Sequence, residues 1–175
     1  MTLADDTVTT TIIGGSMKEK YRYEYDSAGR LTARIYGGDP SHNWSWRDTY
    51  GPDNGLISRT YGGDPKHPES WVYESHDGGR VNSTTYANDP LNPKSFRQEF
   101  DKLWREVSRT YGSDTRNTRS YRYKYDDANS GRIVSCTYGG NPANKASWVA
   151  EYDGDRLIAC TFASDQSDSR SWRKD

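Results

Sequence analysis

The sequence predicts an all-β protein made of seven β-hairpin repeats of about 25 residues each. A serine followed by an aromatic residue recurs along the chain, and these aromatic residues are Trp46, Trp71, Phe96, Tyr121, Trp148 and Trp172. A second ring lies ten positions before each of them, at Tyr36, Tyr61, Tyr86, Tyr111, Tyr138 and Phe162. Repeats of this length bury their apolar faces by stacking on their neighbours. The period therefore predicts one continuous array of similar units.

Each repeat contains two segments with the pattern of a β-strand. In the first segment Tyr alternates with charged residues, as in residues 21–25 and in Tyr121–Tyr125. This period of two is typical of a half-buried strand. The second segment is rich in β-branched and aromatic residues, as in Leu31–Tyr36, Leu56–Tyr61 and Ile133–Tyr138, which favours a second strand.

Turn-forming residues separate the two strands of a repeat, for example at residues 26–29 and 77–79. Each repeat is therefore predicted to be a β-hairpin. One face of the second strand carries small residues, which predicts that another group packs closely against it. These small residues are Ala33, Ser58, Ser83, Ser108, Ser135 and Ala159.

The two connections of a repeat differ in how much their length varies. The distance from Tyr36 to Trp46, and between the equivalent rings of later repeats, is always ten positions, whereas the hairpin turn changes length. Exposed loops that have no structural or functional role tolerate insertions. The constant loop is therefore predicted to be either structural or functional.

The two ends of the chain match complementary halves of one repeat. Residues 8–15 match a second strand with its Gly-Gly, and residues 171–175 match the start of a first strand. If these halves pair, residues 1–175 form one domain, a closed propeller- or barrel-like ring without exposed sheet edges. An open spiral is the alternative.

Charge and composition exclude several classes of partner. The chain has 24 basic and 25 acidic residues and a net charge of −1, which removes the electrostatic case for nucleic acid or anionic membrane. No apolar run is long enough for a membrane span. The start, Met1 to Asp6, does not resemble a signal peptide, so we expect a cytoplasmic or non-classically released protein.

The two cysteines, Cys136 and Cys160, occupy the same position of consecutive repeats. Equivalent positions two strands apart are separated by roughly 10 Å, which is too far for a disulfide. We therefore expect free thiols.

The hairpin segment resembles a known repeat. The run Tyr23-Glu-Tyr25-Asp26-Ser-Ala-Gly29-Arg30-Leu31 is similar to the YD-repeat of RHS and teneurin-type proteins, Tyr-x-Tyr-Asp-x-x-Gly-Arg-Leu, with weaker matches at residues 76–81, 123–133 and 152–157. The resemblance implies hairpins coiled side by side into a β-shell. The constant loop lies outside this pattern, and the chain is too short to enclose a toxin domain as that family's shells do.

The sequence gives little support for catalysis. His42, His67 and His76 have no third ligand at metal spacing, and acidic residues recur once per repeat instead of forming one pair in a cleft. Repetition suits binding better than catalysis. We therefore expect a non-enzymatic protein without a metal or cofactor.

The constant loops carry the chemistry of a sugar site, with rings for stacking, Gly backbone amides and a carboxylate or amide. This predicts a lectin-like protein that binds a glycan or polysaccharide at several sites. The candidate residues are Tyr36, Gly38, Asp39, Trp46, Tyr61, Gly63, Asp64, Trp71, Tyr86, Asp89, Phe96, Tyr111, Asp114, Tyr121, Tyr138, Asn141, Trp148, Phe162, Asp165 and Trp172.

The same residues have a structural interpretation. Gly-Gly-Asp-Pro also makes tight turns, Asp can cap its own backbone, and the rings can form the core between repeats. The alternatives to a lectin are an interaction module that binds a protein through the loop rim and a carrier with a ring-lined lumen. Arg34, Arg59 and Arg109 are expected to be solvated or stacked on rings rather than bound to phosphate.

Overall fold

The computed structural model describes residues 9–14, 20–127 and 131–174, with side chains for 21–127 and 131–174. These residues form antiparallel strands and one 3-10 turn at Asp77–Gly79. The all-β prediction is confirmed. The strands are β1 (Thr9–Gly14), β2 (Lys20–Tyr25), β3 (Leu31–Tyr36), β4 (Trp46–Tyr50), β5 (Leu56–Tyr61), β6 (Trp71–His76), β7 (Val81–Tyr86), β8 (Phe96–Phe100), β9 (Glu106–Tyr111), β10 (Tyr121–Tyr125), β11 (Ile133–Tyr138), β12 (Trp148–Asp153), β13 (Arg156–Phe162) and β14 (Trp172–Arg173). No helix among the described residues is long and apolar enough to cross a membrane.

The chain divides into two compact units. The first comprises Met1–Glu74 and Thr84–Asp89, and the second comprises Ser75–Ser83 and Pro90–Asp175. Within both units the strands are hydrogen-bonded in chain order, so each strand pairs with its neighbours in sequence. The assignment of residues 1–175 to one domain stays a prediction.

Ring closure is unconfirmed. The order of the described strands begins at β1 and ends at β14, and no pairing joins these two strands. Val8 and Gly15, which belong to the predicted N-terminal half-repeat, lie outside the described residues. Cys136 and Cys160 are free thiols, as predicted.

A β-bulge lies at the same point of the hairpins and was not predicted from the sequence. In the hairpin of β4 and β5 the register shifts between Thr49 and Tyr50, and equivalent shifts occur in the hairpins that begin with β2, β8, β10 and β12. A bulge re-aims the side chain beside it. The Tyr50 hydroxyl donates to the Leu31 carbonyl of the preceding hairpin at 2.9 Å. The bulge thus joins successive hairpins.

An Asp and an Arg hold the hairpin turn and connect it to the next one. Asp26 accepts hydrogen bonds from the backbone amides of Ala28 and Arg30 and from Arg30 Nε. The Arg30 guanidinium lies 4.7 Å from the Tyr50 ring centroid and donates to Asn54. Asp101, Arg105, Tyr125 and Asp127 repeat these contacts in the second unit.

Rings and arginines share one face of the sheet. Arg34 lies 4.8 Å from the Tyr21 ring centroid, Arg59 lies 4.0 Å from that of Trp46, and Arg109 lies 5.2 Å from that of Phe96. The expectation that these arginines stack on rings is confirmed. Among residues 21–127 and 131–174 few apolar side chains are buried, so cation–π contacts and rings supply much of the packing there. The buried apolar residues are Ala33, Ile35, Trp46, Cys136, Ala150 and Ala159.

Candidate functional site

A buried serine hydroxyl closes the constant loop. Ser45 Oγ accepts a hydrogen bond from the Tyr36 amide at 2.8 Å and donates one to the Asp39 carbonyl at 2.6 Å. The same pair of bonds recurs at Ser70, Ser120, Ser147 and Ser171, always to residues nine and six positions earlier. An inserted residue would separate these partners. The constant length of the loop is therefore structural.

The loop carboxylates cap their own turns. Asp39 Oδ1 accepts hydrogen bonds from the Ser41 amide and hydroxyl at 2.8 and 2.7 Å, and these bonds hold the pKa of Asp39 below its ordinary value. Asn141 makes the equivalent bond to the Ala143 amide at 3.0 Å. Since an uncharged amide does the same work, the turn requires the Oδ1 acceptor and not the negative charge.

A second side-chain acceptor lies three residues after the Asp or Asn of the loop. In two loops this acceptor is a histidine, which therefore has a structural role. His42 Nδ1 accepts from the Trp44 amide at 3.1 Å, and His67 Nδ1 accepts from the Glu69 amide at 3.2 Å. The same turn is made by Oδ1 of Asn92, Asn117, Asn144 and Asp168. Among the described residues, no group of three or more His, Cys, Asp or Glu is placed to hold a metal ion.

The rings of the first predicted sugar set have different neighbours. Tyr36 contacts His42 and Trp44, with ring centroids 4.4 and 5.0 Å apart. Trp46 is 7% exposed and stands opposite Arg34 on one side and Tyr61 on the other. Gly38, at a φ of 78°, and Asp39 form the exposed turn. Trp46 therefore belongs to the packed face between strands.

On the opposite face, three cross-strand rows have a common composition, which we call the polar rows. In the first row Glu24, Ala33, Arg47 and Thr60 stand side by side on β2 to β5. Arg47 reaches across the small Ala33 to Glu24, with 2.8 Å between Nη2 and Oε2. The sequence predicted that another group packs closely against the small residues of the second strand. In these rows an arginine of the next strand stands opposite each small residue. The second row is Glu99, Ser108, Arg122 and Thr137, and the third is Glu151, Ala159 and Arg173.

A groove accompanies each polar row. The first groove, of about 270 Å³, is lined by Ile35, Pro40, Trp46, Arg47, Thr49, Thr60 and Gly63. The second, of about 210 Å³, is lined by Ser108, Thr110, Thr115, Ser120, Tyr121, Arg122, Thr137 and Gly140. The third, of about 290 Å³, is lined by Ala159, Thr161, Gln166, Ser171, Trp172 and Arg173. Equivalent positions of the repeat therefore build all three grooves.

No protein-family model and no curated protein sequence matches this chain.

Of the predicted sugar-binding residues, four line the three grooves: Trp46, Gly63, Tyr121 and Trp172. The loop carboxylates do not line them. The groove arginines were not identified from the sequence, although a signal exists there. Arg follows the aromatic residue at 47, 97, 122 and 173, and in each case Glu stands 23 or 22 positions earlier. Where Val replaces Arg, at 72 and 149, Thr49 and Lys124 replace Glu. Without the strand register, this pairing has no evident meaning.

Proposed function

We propose that the protein is a non-enzymatic, multivalent glycan-binding protein whose sites are the three grooves. One observation carries the proposal: equivalent residues build the same small groove in three repeats. A polymer with repeating units is the ligand that benefits from repeated sites, because several weak contacts on one protein raise avidity by about 10² to 10⁴.

The size and chemistry of the grooves support one sugar ring per groove. Their volumes of about 210–290 Å³ lie at or below the lower end of the roughly 300–1,000 Å³ of sites for drug-sized ligands. The first two grooves each combine a guanidinium, a Thr hydroxyl and a Gly backbone. Adjacent hydroxyls of a sugar need such paired donors and acceptors.

A matched set of variants tests where the glycan binds. Thr60→Ile with Thr137→Ile fills two grooves with a residue that favours strands, and we expect affinity for the bound polysaccharide to fall at least about tenfold. Asp39→Asn with Asp64→Asn removes two loop carboxylates but keeps their Oδ1 acceptors, as Asn141 does, and should leave binding unchanged. A glycan array with polysaccharide pull-down identifies the ligand, and unfolding midpoints verify the fold.

The reverse pattern, with loss of binding only in the Asp variant, would move the site to the loop carboxylates. If no glycan binds the folded protein at millimolar sugar, the proposed function is wrong.

A protein-interaction module is the second candidate function. Leu103 and Trp104 are neighbours in one hairpin turn and are 68% and 61% exposed, and exposed aromatic residues often anchor protein interfaces. Under this candidate, glycan binding is absent, and Leu103→Asn with Trp104→Asn weakens association with the partner protein in a pull-down.

We also propose that the terminal half-repeats pair and close the repeat array. The matching halves at residues 8–15 and 171–175 support closure, and pairing them would remove two sheet edges.

A further inference from the structure

We propose that the first two grooves select sugars that carry a carboxylate, because each groove adjoins a glutamate flanked by two arginines. This inference rests on the proposed glycan-binding function. Glu24 lies between Arg22 and Arg47, at 2.8 Å from each, and Arg47 lines the first groove. Glu99 contacts Arg97 at 3.1 Å and lies in the same polar row as Arg122, which lines the second groove.

Each of these clusters has one more arginine than glutamate. Burial alone would raise the pKa of Glu99, but hydrogen bonds from Ser108 and Arg97 and the charges of Arg97 and Arg122 hold it below its ordinary value. Glu99 is therefore ionised at neutral pH and cancels one of the two positive charges. The second groove keeps one local positive charge, although the whole chain has a net charge of −1.

The third groove lacks this excess charge and serves as an internal comparison. Arg173 pairs with Glu151 there, but Val149 stands where Arg22 and Arg97 stand beside the other two glutamates. A neutral Arg–Glu pair suits a neutral polyol. The first two grooves therefore have a local excess of positive charge, and the third groove does not.

The guanidinium geometry favours a carboxylate as the anionic group. Arginine presents donors in a planar fork that binds a carboxylate through two parallel hydrogen bonds. The Arg47 side chain is 57% exposed and uses Nη2 for Glu24, so its side chain remains accessible to a ligand. A uronic acid residue in an otherwise uncharged sugar chain meets these requirements.

Arg22→Val with Arg97→Val tests the inference without changing a groove-lining residue. This variant gives the first two rows the Val-x-Glu arrangement of Val149 and Glu151, and it leaves Glu24 paired with Arg47. The probes are polygalacturonate and the same polymer after reduction of its carboxyl groups. Lys102→Gln with Arg156→Gln removes two exposed charges outside the rows and is the matched control.

We expect the unmodified protein and the control to bind polygalacturonate about tenfold more tightly than the reduced polymer at low salt, since one unpaired charge acts at short range. The Arg22→Val and Arg97→Val variant should bind both polymers equally. Equal binding by the unmodified protein would overturn the acid preference and leave the proposed function intact. Failure of both polymers and of every other glycan would overturn the proposed function itself. Tighter binding of dextran sulfate than of polygalacturonate would overturn the choice of carboxylate.

Discussion

At the level of single residues, the constant loop depends on serine hydroxyls and on the side-chain acceptors of Asp, Asn and His. Ser120 is 2% exposed and bridges the Tyr111 amide and the Asp114 carbonyl at 2.9 and 2.8 Å. Loss of such a group leaves two backbone groups without their buried partner, and an unsatisfied buried group costs about 1–3 kcal/mol. This cost applies to the loops whose serine is buried, at Ser45, Ser70, Ser95, Ser120 and Ser147.

We therefore expect Ser120→Ala to lower the free energy of unfolding by about 1–3 kcal/mol, measured by urea denaturation. Thr118→Ala, an exposed position in the same loop, is the control and should change stability by less than about 0.5 kcal/mol. Equal effects of the two substitutions would contradict the role assigned to the buried hydroxyl.

Asp168 makes one turn sensitive to acid. Side-chain and backbone hydrogen bonds from Arg170 lower the pKa of Asp168 to about 2. A carboxyl group with a lowered pKa in the folded state stabilises the protein above its unfolded pKa, and this stabilisation is lost as the pH falls through the folded value. The relevant window therefore lies from about pH 4 down to about pH 2.

Asp168→Asn keeps the Oδ1 acceptor that Asn117 supplies in another repeat but removes the titrating charge. We expect the stability advantage of the unmodified protein over this variant to shrink as the pH falls through that window. Urea denaturation at a series of pH values measures it. A difference that stays constant with pH would show that the ion pair does not contribute to stability.

At the level of the hairpin, the turn that contains Trp104 departs from its equivalents. Trp104 has a φ of 62°, and the equivalent turns place Gly29 and Asn54 there, with φ of 77° and 64°. All three amides donate to the carbonyl three residues earlier. A bulky side chain in this left-handed conformation costs about 1–2 kcal/mol, whereas Asn tolerates it.

We expect Trp104→Asn to raise the free energy of unfolding by up to about 1 kcal/mol, because it relieves this backbone strain. Leu103→Asn is the control, since Leu103 is similarly exposed and does not have a positive φ. Its effect should stay within about 0.5 kcal/mol. A loss of stability in Trp104→Asn would mean that the ring's packing outweighs the strain.

At the level of the whole molecule, the proposed pairing of the two terminal half-repeats can be tested. Ile13 is the residue of the N-terminal half-repeat that corresponds to Tyr36, and Trp172 begins the C-terminal half-repeat. In a complete hairpin the equivalent residues stand directly opposite each other, as Tyr21 and Tyr36 do. Paired strands bring such positions within disulfide distance.

Ile13→Cys with Trp172→Cys, made in a Cys136→Ser and Cys160→Ser background, should therefore form an intramolecular disulfide under mild oxidation if the ring closes. Non-reducing electrophoresis and mass spectrometry measure it, and Thr10→Cys with Trp172→Cys is the control that should not cross-link. Failure of the first pair to cross-link in the folded monomer would favour the open spiral.

The sequence alone determined the hairpin repeat, its strands and the constant loop, because side-chain periods of two and fixed spacings are local properties. The backbone cap by Asp39 was one of two interpretations of the sequence, whereas the roles of Ser45 and His42 required the loop conformation. Only the tertiary structure placed Glu24, Ala33 and Arg47 in one row, since their contact depends on the register of three strands and on a bulge that local patterns do not encode. The strand register also showed that Trp46 lies on the packed face. The sequence could not show this, because a ring in a strand has the same sequence pattern whichever neighbour covers it.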